Sequence, residues 1–129
     1  MTRSAILDTN ALSALFEGSP LLATLLDNLE DLYLPVVVIG EYRYGIRRSR
    51  LRRQLEPLLD TLIEESRVLG IDLVTATTYA VVRSELREAG RPIPENDVWI
   101  AALARQHALP VVSHDTHFDA VADLKRLEW

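Results

Sequence analysis

Apolar positions along the chain recur with two periods, one suited to strands and one to helices. Arg3–Leu7 (RSAIL) is a short β-like run that ends at Asp8. Asn10 is placed to cap a helix over Ala11–Glu17, which Gly18 stops. Leu21–Leu32 repeats its apolar residues at helical spacing, and Tyr33–Val38 (YLPVVV) reads as a buried strand with Pro35 close enough to its start to be tolerated. A helix is predicted from Ile39 to Arg48, an amphipathic helix over Leu51–Ser66, and a third strand over Arg67–Ile71. Thr75–Ala89 is a long helix ended by Gly90, and Arg91-Pro92-Ile93-Pro94 is a loop because two prolines bracket one residue. Asp97–His107 is helical and apolar on nearly every side from Val98 to Ala104, which predicts deep burial. Leu109–Ser113 is a fourth strand, and the tail Leu127-Glu128-Trp129 a short fifth.

Strands alternating with helices predict an α/β fold with a parallel sheet of four to five strands, flanked by helices on both faces. There is no internal repeat, low-complexity segment or linker, and 129 residues suit one domain, expected over 1–129. In such sheets ligands bind outside the carboxyl ends of the strands, which turns a scatter of acids into a candidate site. Asp8 follows the first strand directly, Glu41 sits about one helical turn past the second, and Asp115 lies just beyond the fourth. Asp97 falls in the first turn of the buried helix, where an acid also favours the helix dipole. Taken singly, each has an ordinary role as a strand terminator, solvated helix residue, helix-start acid or turn residue. Together at one edge they would repel one another strongly. The usual remedy is a hard divalent cation such as Mg²⁺ or Mn²⁺, which prefers oxygen ligands.

Composition narrows the choice. The hydrophobic share of 48% and charged share of 26% are those of an ordinary globular protein, and the aromatic share of 6% requires an aliphatic core. No cysteine is present, which excludes disulfides, thiolate nucleophiles and zinc–sulfur sites and fits a cytoplasmic home. The apolar run before Asp8 is too short for a signal-peptide core, and no apolar stretch is long enough to cross a bilayer. A protein that coats DNA would be basic, whereas the net charge here is −5. An acidic chain still suits nucleic-acid cleavage if its carboxylates hold cations and its arginines cluster. Arg43, Arg47 and Arg50 share one helical face by spacing, thickened by Arg48, Arg52 and Arg53. The patch reads either as an RNA-phosphate track beside Glu41 or as a solvated or partner-binding face. His114 and His117 flank Asp115 and read as exposed loop residues without a catalytic part. Trp99 and Trp129 read as packing residues, Tyr79 and Leu86 as core, and Arg83 as a partner for an acid.

Four segments carry a family resemblance: Ile6-Leu7-Asp8-Thr9-Asn10; Val38-Ile39-Gly40-Glu41-Tyr42-Arg43-Tyr44-Gly45; Pro92 to Ala102 (PIPENDVWIAA); and Val111-Val112-Ser113-His114-Asp115-Thr116-His117-Phe118. In their order and spacing the chain resembles the PIN-domain ribonucleases and, within them, the VapC toxins of prokaryotic toxin–antitoxin pairs. The resemblance covers essentially the whole chain. It implies a Rossmann-like parallel sheet, Mg²⁺- or Mn²⁺-dependent endoribonuclease activity, a homodimer, and inhibition by a small antitoxin. Free of that antitoxin, such a toxin is expected to inhibit translation. Carried over position by position, the family's acids fall on Asp8, Glu41, Asp97 and Asp115, with the metal expected on Asp8, Asp97 and Asp115. Thr9 and Ser113 match positions where a hydroxyl often lies near the metal, and Asn10, Arg43 and Arg47 complete the expected substrate contacts. The chemistry implied is phosphodiester hydrolysis by a water whose pKa a bound cation lowers, with Glu41 and Asp115 orienting that water or completing a weaker second site.

Three other readings fit less well. A phospho-acceptor receiver domain needs an acid pair after its first strand and a lysine after a late one. This chain has Asp8 alone, only Asp72 as a possible acceptor, and no lysine before Lys125. A flap or DNA nuclease would carry further acids and a larger helical insertion. A PIN scaffold without chemistry would not keep all four acids.

Overall fold

Five short apolar strands fix where everything else lies. In the computed structural model, which describes residues 3–129, they are β1 (Ser4–Leu7), β2 (Asp31–Pro35), β3 (Arg67–Leu69), β4 (Val111–Val112) and β5 (Arg126–Leu127). Met1 and Thr2, at the head of the run weighed above against a signal peptide, lie outside the described residues. All neighbouring strands pair in parallel, in the order β3-β2-β1-β4-β5. The sheet is therefore the parallel α/β sheet predicted, with all five carboxyl ends at one edge. Ala5, Ile6 and Leu7 of β1 have no exposed surface, as a central strand covered on both faces requires. The chain runs outward from β1 through β2 to β3, then returns to the other side of β1 for β4 and β5. The crevice between the ends of β1 and β4 is thus the point where the strand order reverses.

The helices are α1 (Thr9–Phe16), α2 (Pro20–Asp27), α3 (Val36–Arg47), α4 (Arg52–Glu65), α5 (Leu73–Glu88) and α6 (Glu95–His107), and Thr116–Ala120 form a 3-10 turn. α6 is the buried helix expected, with Val98 and Ile100–Ala104 inside the core. No helix among the described residues is long and apolar enough to cross a membrane.

Several boundaries differ from the expectation, three of them with a clear physical reason. β2 ends at Pro35, and Val36–Val38 open α3 instead of finishing the strand. Pro35 has φ −64°, pre-set for the entry to a helix, and burial of Val38 on the core side of α3 outweighs the valines' strand preference. α2 stops at Asp27, so that Asp31 and Leu32 serve β2. α5 begins at Leu73, because Asp72 and Thr75 form a reciprocal capping box.

Candidate active site

β1 delivers Asp8 to the centre of the carboxyl edge. Its backbone N–H donates to the Val112 carbonyl at 3.1 Å, which ties it to β4. Its side chain accepts from the Thr9 N–H at 2.7 Å, so Asp8, and not Asn10 as expected, caps α1. The strand hands over to the helix two residues earlier than the sequence suggested, and the buried acid satisfies the first free helical N–H. Asp8 Oδ2 also accepts from Ser113 Oγ at 2.8 Å and from Asn10 Nδ2 at 3.2 Å. The residue is 4% exposed. Burial pushes its carboxyl pKa up to about 6. The Ser113 and Thr9 hydrogen bonds hold it back, and the negative charges of Asp97 and Glu41 raise it further.

Ser113, fully buried at the end of β4, is the hub. Its hydroxyl donates to Asp8 and accepts from Asn10 Nδ2 at 3.2 Å and from the Asp115 N–H at 2.9 Å. One donor and two lone pairs are thereby used. Asn10 completes the frame by accepting the His114 N–H at 3.2 Å. Arg126 of β5 donates from Nη1 to the Ser113 carbonyl at 3.1 Å, and Asp119 holds that guanidinium at 2.9 and 3.0 Å.

The other three acids arrive from helices and the 3-10 turn. Glu41, on α3, accepts from Thr9 Oγ1 at 3.2 Å. Asp97, on the first turn of α6, is half-buried, and its pKa is raised mainly by that burial, then by the charges of Asp115 and Glu41, against the pull of a hydrogen bond to His117. Asp115 caps the 3-10 turn through the His117 N–H at 2.9 Å. The His117 side chain is exposed, as expected, yet its Nδ1 lies 3.2 Å from Asp97 Oδ2 and 2.9 Å from Asp115 Oδ1. The sequence reading missed this contact. The signal available was the Asp115-x-His117 spacing in a turn leaving a central strand.

The donor set suits a divalent cation. Hydrogen bonds engage Oδ2 of Asp97, Oδ1 of Asp115 and Oε1 of Glu41, and the second oxygen of each has no partner among the described residues. Ligand atoms of Asp97, Asp115 and His117 all lie within 4.8 Å of one another. Carboxylate oxygens with one imidazole match Mg²⁺ or Mn²⁺ better than a soft ion. Asp8 stands outside that tightest group and couples to it through charge.

The arginine patch is only partly as drawn from spacing. Arg43 Nη2 lies 2.6 Å from Asp60 of α4. α3 ends at Arg47, with Arg48 as its C-cap, so Arg50 does not extend the helical face of Arg43 and Arg47. Arg47 and Arg50 are exposed. Arg83 pairs with Glu95 at 3.8 Å, as expected of it. Leu86 is buried, whereas Tyr79 is half-buried and stacks on Trp99 with ring centres 3.9 Å apart.

A parallel sheet that gathers acids where its strand order reverses defines an α/β domain with an acidic site at the switch point. The chain belongs to the PIN domain family, whose profile matches residues 5–124. It is similar to Toxin FitB of Neisseria gonorrhoeae (strain ATCC 700825 / FA 1090), 33% identical over 130 residues, covering 92% of this chain and 93% of that one. It is also similar to VapC ribonuclease Y4jK of Sinorhizobium fredii (strain NBRC 101917 / NGR234), 32% identical and covering 86% of each. Among solved structures, FitAcB from Neisseria gonorrhoeae matches with a TM-score of 0.82 at 33% identity, over 95% of this chain and 96% of that chain.

Proposed function

We propose that this chain, as one domain over residues 1–129, is a divalent-metal-dependent endoribonuclease and the cytoplasmic toxin of a toxin–antitoxin pair, inhibiting translation when free of its antitoxin. The observation that carries the reading is the gathering of Asp8, Glu41, Asp97 and Asp115 around one sheet edge in a PIN-family chain. Relatives named a ribonuclease and a toxin support it.

Asp8, Asp97 and Asp115 would hold Mg²⁺ or Mn²⁺, with His117 beside the last two. When bound, the cation acidifies a water and offsets charge on the scissile phosphate. Glu41, one oxygen fixed by Thr9, presents the other to the attacking water and orients it. Asp115 helps to fix the same water. Thr9 and Asn10 serve the substrate mainly by holding the acids in place, while Ser113, fully buried with its hydroxyl committed to Asp8, Asn10 and Asp115, acts through those residues and not by the direct contact with RNA expected of it. Arg47, with Arg50, is open to RNA phosphates, while Arg43 reaches them only by leaving Asp60. His117 Nδ1 sits within hydrogen-bond reach of both Asp97 and Asp115 and helps to orient them.

The reading assigns two protein partners, a small antitoxin and a second copy of the chain. Leu73, Val74 and Val81 of α5, with Ile71 before it, form exposed apolar surface of the kind a second copy covers. The test of the activity is cleavage of single-stranded RNA by the purified protein. Mg²⁺ is expected to support it, while EDTA and the folded Asp97→Asn variant abolish it. Undiminished cleavage in EDTA overturns the reading.

A further inference from the structure

The acid cluster has a neighbour that this mechanism leaves unused. His114 follows Ser113 directly, and its ring is exposed. The imidazole stacks on Trp129, with ring centres 3.6 Å apart and planes inclined by 18°. Its Nε2 lies 3.2 Å from the Trp129 backbone oxygen. Its backbone N–H donates to Asn10 Oδ1 at 3.2 Å. The ring is therefore held by the stack and by its Nε2 contact, with the backbone beside it anchored to Asn10, an unusual restraint for an exposed loop histidine, whose rotamer freedom is ordinarily kept.

A recess of about 480 Å³ opens beside this pair. Its walls include His114, Trp129, Asn10, Ser13, Glu17 and Ser19. The volume falls in the range of about 300–1,000 Å³ typical of small-ligand pockets. The walls combine aromatic surface with hydroxyls and a carboxylate that accept hydrogen bonds. Asn10 belongs both to this recess and to the Asp8–Ser113 network.

We propose that the stacked His114–Trp129 pair is a nucleobase subsite, on which a base of the single-stranded RNA next to the scissile phosphate extends the stack. Every base has a π-face, and single-stranded RNA is commonly held by stacking on histidine and other aromatic rings. The sharing of Asn10 with the acid cluster favours RNA over a partner protein as the occupant. A base held there sets the position of the adjoining phosphate relative to Asp8 and Asp97. The proposal rests on the ribonuclease reading of that cluster.

The test uses single-stranded oligoribonucleotides carrying 2-aminopurine at successive positions, bound to the full chain in EDTA so that no cleavage is needed. Stacking quenches 2-aminopurine. The parent is expected to quench it at one position, His114→Ala to lose that quenching and bind about fivefold to tenfold more weakly, and His114→Phe to restore both. Trp129→Ala, which removes the backing ring, is expected to fall between. In Mg²⁺ the His114→Ala loss is expected in KM more than in kcat. His114→Ala keeps the backbone N–H to Asn10, and a thermal melt checks that it is folded. If RNA is bound and cleaved but His114→Ala leaves quenching and affinity unchanged, the subsite is refuted and the ribonuclease reading stands. If His114→Ala weakens only the binding of a protein partner, the subsite is likewise refuted. If the parent binds no RNA, the ribonuclease reading falls, and the subsite with it.

Discussion

Asp8 is the most heavily perturbed acid of the cluster, and neutralising it tests the site through stability. In metal-free protein the folded carboxyl titrates near 6, against an ordinary value of 3.8. Between those values the folded chain binds more protons than the unfolded chain. Stability is therefore highest below the unfolded value and falls as pH rises through the window from 3.8 to about 6. At about 1.36 kcal/mol per pH unit, this displacement amounts to about 3 kcal/mol lost by neutral pH. Asp8→Asn carries no charge and escapes that loss. It incurs a different one, because the amide NH₂ replaces an oxygen toward which both Ser113 Oγ and Asn10 Nδ2 donate. A mismatch of that kind costs about 1–3 kcal/mol and does not vary with pH over this range. The diagnostic quantity is therefore the mutant-minus-parent difference as a function of pH. From pH 4 to pH 7.5 in EDTA it is expected to rise by about 2–3 kcal/mol, or roughly 10 °C in relative Tm for a chain of this size. Urea titrations at several pH values, supported by thermal melts, measure it. A difference that stays flat across the window would show that the Asp8 carboxylate is not held at a cost by its burial.

Added Mg²⁺ is expected to raise the parent's melting temperature by mass action and that of Asp97→Asn much less; equal shifts would remove Asp97 from the metal site. Ca²⁺ is expected to bind while supporting little cleavage, since it is larger and acidifies water poorly, as RNA digests in each ion would show. A complex with the antitoxin is expected to place a Lys or Arg side chain among Asp8, Asp97 and Asp115, and a partner seated wholly on the opposite face contradicts this. Asp72→Ala is expected to lose about 1 kcal/mol through the α5 capping box and to leave RNA cleavage unchanged, as urea unfolding and an activity assay together report.

The legible parts of the molecule are those whose cause is local. α4 and α6 are readable because an apolar period persists over three turns or more, and α6 is buried on most sides as its run of apolar residues requires. The end of β2 is not, since three successive valines favour a strand and only the tertiary burial of Val38 turns them into a helix. Asp8, Glu41 and Asp115 are placed by counting residues past a predicted strand end, and Asp97 by the start of the buried helix. The frame that holds them is not readable, because Ser113 touches Asp8 only through the adjacency of β1 and β4, and no periodicity encodes strand order. His117 escapes for a similar reason. Its neighbour Asp115 is local, but Asp97 comes from a different element.

That frame also explains why a buried acid is tolerated where the strand order reverses. An isolated carboxylate taken out of water stays ionised only at a cost of several kcal/mol. Here Thr9 N–H, Ser113 Oγ and Asn10 Nδ2 all donate to it, which offsets part of that cost and fixes the orientation of the group. The offset is incomplete, as a pKa near 6 records. The remainder works in favour of a cation. On the proposed function, binding replaces the proton that Asp8 partly holds near pH 6, so affinity for Mg²⁺ falls as pH drops through the Asp8 titration. More hydrogen bonds to Asp8 would make a quieter apo site, while fewer would leave it protonated at neutral pH. The observed three donors hold the acid ionised at neutral pH and still short of a counter-charge.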